Sequence, residues 1–219
     1  MRKMLTVVVV AASLSPAAFA QRRDTAAPGT RYSLLGGETV GNGVEVVSGE
    51  FGWPGISFGY TRGVNRDTDI GARFDLLFGF EEISSGSQFG IGFRVPLRLT
   101  VMRRDRISVL VHIDPGLKLY TTDPAAFGLQ FPIGVTLGYA ARPELVLAFG
   151  VDMPMTALFT PDVLRGFYLA PTFGPAIEFR VDPRLTAGIN TRFGPVVSSV
   201  SGFGSHFGFV TQLLLAYRM

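Results

Sequence analysis

The sequence predicts an all-β fold: a closed antiparallel up-and-down transmembrane β-barrel of about ten strands, with eight or twelve compatible with the same pattern. Three observations carry that expectation. Long segments alternate bulky apolar residues with glycine, threonine and scattered charges. Tight, arginine-rich turns alternate with longer, less charged connections. The composition, finally, suits a lipid-facing exterior: the 219 residues are 47% hydrophobic and only 17% charged, with 27 glycines and 19 phenylalanines, a poor recipe for a solvated surface. Beyond residue 20 no apolar run approaches the roughly 18 residues of a spanning helix, so strands would have to cross the membrane.

Residues 1–20 place Arg2 and Lys3 before an apolar run at 5–12 and end on Ala18, Phe19 and Ala20, the pattern of a cleaved secretory signal peptide. A polar leader at 21–30 precedes one barrel domain, residues 31–219. The first strand is expected in "RYSLLGG" at 31–37 or "VEVVSGEF" at 44–51. Strands follow at 55–62, 70–80, 89–101, 107–119, 127–139, 145–155, 167–181 and 207–219, with a weaker one at 185–193. In "FGIGFRVPLRLTV", 89–101, Phe89, Ile91, Phe93, Val95, Leu97, Leu99 and Val101 occupy every second position, and a strand sends alternate side chains to opposite faces. Tight turns fall at 62–69, 103–106, 140–144 and 180–184. Longer loops fall at 81–88, 120–126, 156–166 and 195–205.

A soluble barrel also alternates, so the second face decides which way round the chain folds. Lysine, glutamate and serine would crowd a water-facing set. Here glycine, threonine and a few arginines and aspartates occupy it, which suits a confined interior, while the apolar face is bulky over about ten residues, the length of a tilted membrane strand. Hydrocarbon offers no partner to an unpaired amide, so the sheet has to close.

In this pattern the chain resembles bacterial outer-membrane β-barrel proteins over nearly all of residues 31–219. The alternation of Leu213, Leu215, Tyr217 and Met219 is similar to the C-terminal signal read by the barrel-assembly machinery in that family, although Met219 stands where the family usually ends on an aromatic residue. The resemblance implies a monomer in the outer membrane of a Gram-negative bacterium, exported with its signal peptide removed, with outer-membrane lipid as its surroundings and the tight turns toward the periplasm.

The inward charges on this parse are Arg73, Asp75, Arg94, Arg98, Asp114, Lys118, Asp152, Glu178, Arg180 and Arg192. Folding neighbouring strands about their turns brings Asp75, Arg94 and Asp114 level, and buried charges persist when paired, so a ladder of these three is expected. Repeated inward glycines suggest a narrow interior, and about eight to ten strands leave room for little more than side chains. Trp53, Tyr60, Tyr139, Tyr168 and Tyr217 fall near strand ends, where aromatic rings anchor at the headgroup level. Pro96, Pro115, Pro132, Pro154, Pro171, Pro175 and Pro195 lie in or beside strands, where each removes a ladder donor. They mark bulges, or a lateral opening to the membrane.

The function expected from these features is structural or that of a narrow, porin-like transport channel with a mostly filled lumen. The alternative is a conduit or binder for a small apolar molecule or lipid. A hydrolase would need a nucleophile and an oriented histidine, for which Ser205, His206 and Asp123 are the nearest approach, and no motif unites them; catalysis is not expected. "NRDTDIG" at 65–71 begins like a calcium loop, but Ile70 and Leu76 replace the required Gly and Glu. No metal, cofactor or nucleic-acid site is expected, and a formal net charge of +3 gives no basic footprint. Cysteine is absent, so no disulfide contributes.

Overall fold

A computed structural model describes residues 32–79, 87–121, 125–160, 163–199 and 206–219. The signal peptide and leader expected at 1–30 lie outside the described residues, as do Asp123 and Ser205. The described chain is all-β: β1 Glu45–Trp53, β2 Gly55–Gly63, β3 Thr68–Gly79, β4 Ser87–Arg94, β5 Leu97–Arg104, β6 Ile107–Ile113, β7 Gly116–Tyr120, β8 Ala126–Gln130, β9 Ile133–Arg142, β10 Leu145–Met153, β11 Met155–Thr160, β12 Val163–Leu169, β13 Thr172–Arg180, β14 Leu185–Ser198 and β15 His206–Arg218.

All fifteen belong to one antiparallel sheet, in the order β12, β11, β8, β7, β4, β3, β2, β1, β15, β14, β13, β10, β9, β6, β5. Two further pairings turn it back on itself. β3 pairs with both β4 and β5, and β14 with both β12 and β13. A ring of twelve strands results: β3, β4, β7, β8, β11, β12, β14, β13, β10, β9, β6 and β5. β2, β1 and β15 bridge β3 to β14.

Fifteen strands, where about ten were expected, follow from proline. Breaks fall at Val95–Pro96, Asp114–Pro115, Phe131–Pro132, Pro154 and Ala170–Pro171, because proline has no N–H for the ladder. Its carbonyl still accepts. Gly71 N donates to Pro96 O (2.8 Å), Val95 N to Pro115 O (2.9 Å), Asp114 N to Pro132 O (2.9 Å) and Ala170 N to Pro154 O (3.0 Å), so the five breaks lie level on neighbouring runs and pairing resumes at once on either side. Pro175 and Pro195 interrupt nothing; they stand opposite Phe149 and Phe207 within β13 and β14.

Three boundaries differ from the periodic reading. Of the segment expected at 31–37, the described residues 32–37 form no strand; β1 lies at Glu45–Trp53, close to the 44–51 alternative. β14 runs unbroken for 14 residues, well past the weak signal at 185–193, because Thr191 interrupts the outward apolar rhythm of Ile189 and Phe193 without interrupting the ladder. Much of the loop expected at 156–166 is the hairpin of β11 with β12, irregular at Leu158/Phe159.

The two faces have inverted polarity. Phe58, Phe74, Phe93 (47%), Leu117, Ile133 (39%), Leu137, Phe149, Phe173, Ile177 and Leu213 are exposed on the outside. The buried set is rich in polar groups: Ser57, Asp69, Asp75, Arg98, Lys118, Thr136, Glu178, Arg192 and Gln212. In a soluble globular protein large side chains exposed on this scale would be an anomaly.

The apolar part of the interior is confined to two small clusters. Tyr32, Val40, Val46, Leu214 and Ala216 pack at the tight-turn end, and Leu77, Tyr120, Ala126 and Leu158 pack at the other, with Tyr168 against them. Tyr168 therefore faces inward and does not join an external girdle; its outward neighbour is Phe167. Tyr139 and Tyr217 are exposed near the turns, and Trp53 meets Phe78 edge-on at 6.0 Å.

The tight turns carry their own polar closures. Asn65 Oδ1 accepts from Asp67 N (2.8 Å), so "NRDTDIG" closes a hairpin. Asp182 accepts from Arg184 N (2.6 Å) and Leu185 N (2.7 Å), and these two amides hold its pKa below the ordinary carboxylate value. Because the folded-state value is depressed, the stabilisation is fully present above about pH 4 and is lost as pH falls through that lowered value. Asp182→Asn should flatten the acid limb of a stability-versus-pH titration, and an unchanged limb would assign the acid sensitivity elsewhere.

Candidate functional site: the charged interior

Alternation along β3 sends Arg73 and Asp75 to the inner face, and alternation along β4 does the same for Arg94. There Asp75, 2% exposed, binds two guanidiniums. Arg94 approaches through Nε and Nη2 (2.8 and 2.7 Å) and Arg73 through Nε (2.9 Å), while Ser57 Oγ donates a further bond (2.7 Å). Arg73 continues to Glu50 (2.6 Å), Ser57 Oγ (2.8 Å) and Gln212 Oε1 (3.3 Å). Two-pronged guanidinium–carboxylate contact is the strong form of such pairing.

Asp114 does not join this group, which corrects the expected three-member ladder. Arg94 stands opposite Gly116, not Asp114, so the Asp114–Pro115 break leaves the carboxylate a full strand period away. Its Oδ1 is buried without a hydrogen bond.

A second group centres on Asp152, which meets His112 Nε2 (2.8 Å) and Arg192 Nε (2.7 Å). The Nη1 of Arg192 donates to the carbonyls of Gly174 (2.8 Å), Thr191 (3.0 Å) and Pro175 (3.2 Å). Glycine makes this possible: a Cβ on Gly150 would collide with the Arg192 guanidinium, and one on Gly134 with His112 and Asp152.

The third group involves a segment that periodicity could not place. Residues 32–44 lie outside the sheet; 32–40 are tucked inside the ring at the tight-turn end, and 41–44 turn at its rim, where Gly43 N donates to Gly63 O. Glu178 Oε2 accepts from Ser33 Oγ (2.9 Å), Leu34 N (2.8 Å) and Leu35 N (2.7 Å). Asp69 accepts from Val40 N (2.9 Å) and from Arg98 Nη1 (3.2 Å), and Arg98 Nη2 donates to Ser33 O (2.9 Å) and Glu38 O (3.0 Å). Tyr32 bonds Thr186 Oγ1 (2.7 Å) beneath the guanidiniums of Arg180 and Arg218, 5.0 and 5.8 Å from its ring. Arg103 ties Thr39 (2.8 Å) and Asp67 together. Every buried amide in such a segment needs a partner, and the wall's carboxylates and arginines supply them.

Between this segment and the upper apolar cluster lies a chamber of about 220 Å³. Leu34, Leu35 and Gly36 border it along with Glu50, Arg73, Arg94, His112, Asp114, Asp152, Asn190 and Arg192. Pro96, Pro132 and Pro154 also line it, which puts the row of strand breaks at chamber height.

Of the ten charges expected to face inward, Arg73, Arg94, Arg98, Asp114, Asp152 and Arg192 line the chamber, Asp75, Lys118 and Glu178 are buried outside its lining, and Arg180 is at the turn end over Tyr32. Sequence reasoning missed Glu50, Asp69 and Gln212 as interior partners. Asp69 falls in the tight turn expected at 62–69, Glu50 in the segment 44–51 whose strand assignment the sequence leaves open, and Gln212, though on the strand expected at 207–219, carries no charge to single it out. His206 begins β15, away from the His112–Asp152 pair in sequence and level. Among the described residues no group of three His, Asp or Glu side chains is placed to hold a metal. No known protein family matches the chain, and no curated protein is similar to it in sequence.

Proposed function

We propose that the chain is a small outer-membrane β-barrel whose charged, plugged lumen gives it a structural or narrow-channel role. The inverted polarity carries this reading: phenylalanine and leucine outside, with arginine–carboxylate networks inside, match hydrocarbon around a hydrophilic bore. Treating each run broken by proline as one strand turns β4/β5, β6/β7, β8/β9, β10/β11 and β12/β13 into five long strands. With β1, β2, β3, β14 and β15 they make ten, each antiparallel to its sequence neighbours, and β15 returns to β1. An even, hairpin-linked count with both ends on one side is the outer-membrane arrangement. Residues 32–44 plug the periplasmic mouth of this barrel, and Tyr60, Tyr139 and Tyr217 mark its headgroup level.

Planar-bilayer recording on refolded protein tests the transport half. Rare, small current steps are expected from a lumen filled in this way. Large, steady, porin-like conductance would overturn the filled-lumen reading, and protein that stays soluble and monomeric without detergent would overturn the membrane assignment.

One observation favours a second reading, a lateral route for an apolar molecule. The β1–β2 hairpin is short: pairing of β15 to β1 ends at Trp53–Thr211, so residues 206–210 are paired only toward β14. The inner apolar cluster of Leu77, Tyr120 and Leu158 lies at that same end. Lipid retained through mild extraction, seen by mass spectrometry, would favour this route over an ion path.

A further inference from the structure

We infer that the tight-turn end of the wall carries a belt of outward arginines that holds the phosphate groups of anionic phospholipids, so that the barrel recruits charged lipid in one leaflet and not in the other. The inference rests on the membrane reading above and deepens it by naming the lipid class. Each of the four tight turns supplies one arginine, and all four are exposed. Arg62 lies two residues beyond Tyr60 on β2, and therefore on the same face. Arg104 closes β5 opposite Ile107, which stands opposite Tyr139, both exposed on the outside. Arg142 closes β9 opposite Leu145, whose partner on β13 is the exposed Phe179. Arg184 donates from Nη1 to the hydroxyl of Tyr217 (3.3 Å), an outward residue of β15.

Direction decides the partner. These arginines continue the outward rows of Tyr60, Tyr139, Phe179 and Tyr217, so they project sideways at the level where aromatic rings meet lipid headgroups. A water-borne acidic partner would be met by the turn tips instead. Charge points the same way. Among the described residues this end exposes Arg62, Arg66, Arg104, Arg106, Arg142 and Arg184 against the side-chain carboxylates of Asp105, Glu144 and Asp182, and Asp182 is occupied by two backbone amides. Glu45 lies 3.7 Å from Arg62 with both side chains open to water, a pairing too weak to keep the guanidinium from a phosphate. At the opposite end the described outward side chains are Phe89, Phe127, Phe167, Phe207 and their neighbours, with no arginine or lysine among them.

The chemistry suits a phosphate diester. A guanidinium grips its two free oxygens through a pair of parallel N–H groups and stays charged throughout the working pH range. Where Arg184 donates to Tyr217, the phenol proton remains available for a phosphate oxygen of the same headgroup. A charged lipid beside any one of the four arginines is expected to be favoured about fivefold over a zwitterionic one.

The test is electron spin resonance on the full chain refolded into phosphatidylcholine vesicles, with spin-labelled phosphatidylglycerol and spin-labelled phosphatidylcholine of equal chain length added in turn. The motionally restricted fraction counts lipid held at the wall. Phosphatidylglycerol is expected to be restricted about two- to fivefold more than phosphatidylcholine, and the preference should shrink in about 1 M salt, where the screening length falls to about 3 Å. Changing Arg62, Arg104, Arg142 and Arg184 together to glutamine should bring the ratio close to one, and lysine at the same four places should restore much of it. The four single glutamine variants are measured alongside, each expected to lose part of the preference, so a fourfold variant that fails to insert does not close the test. Equal restriction of the two lipids by the parent, or a ratio that survives the glutamine changes, overturns the inference while leaving the membrane reading in place. Glycerol phosphate that abolishes the preference at millimolar concentration would assign the arginines to a soluble phosphate and overturn it too. A parent that restricts neither lipid has no lipid boundary, and the membrane reading itself then fails.

Discussion

Replacing Asp75 by asparagine is expected to destabilise the folded chain by about 3–5 kcal/mol, the usual cost of removing one partner from a buried ion network. The carboxylate is nearly inaccessible and receives Arg73, Arg94 and Ser57 together, so an amide there leaves two guanidiniums facing each other without their counter-charge. Arg94→Met should cost less than Asp75→Asn, since Arg73 remains on Asp75 and also holds Glu50. Combining the two changes should recover part of the loss, because the guanidinium that suffers most from a neutral residue 75 is then gone. Urea titration of the protein refolded into lipid vesicles measures all three. If Asp75→Asn unfolds at the parent's midpoint, the network is decorative.

The second large effect is expected from the plug. Exchanging residues 32–43 for a glycine–serine segment of equal length removes the Tyr32 and Val40 contacts and the Ser33 hydroxyl bond to Glu178. Frequent discrete current steps should then appear in a planar bilayer where the parent is nearly silent. Glu178→Ala, which withdraws the acceptor of three bonds, each worth about 1.5–3 kcal/mol when one member is charged, should give the same change at lower frequency. Identical traces from parent and exchange variant would mean that the bore is closed by the wall's own side chains and not by this segment.

Much of the architecture was legible in the chain because two-residue periodicity is a local signal that a strand obeys wherever its faces differ. The outward set from Phe89 to Val101 and the inward set around Arg73 and Asp75 come from that signal alone. Proline was legible as an interruption, yet its effect on register was not. The ladder drawn through Asp114 assumed even pairing, whereas Arg94 falls opposite Gly116. The plug left no local trace at all. Ser33 and Glu178 are 145 positions apart, and a segment without periodicity gains its conformation from a wall that exists only after closure. Tyr168 could have been placed by parity: if Phe167 faces out, its neighbour faces in.

The strand breaks have a mechanical consequence. They fall side by side on five successive runs, while β3, β14 and β15 pass the same height unbroken at 12, 14 and 13 residues. One half of the ring thus has a crease and the other a rigid spine, so in a bilayer of the kind proposed above lateral squeezing would flex the creased half first and change the volume of the cavity behind it.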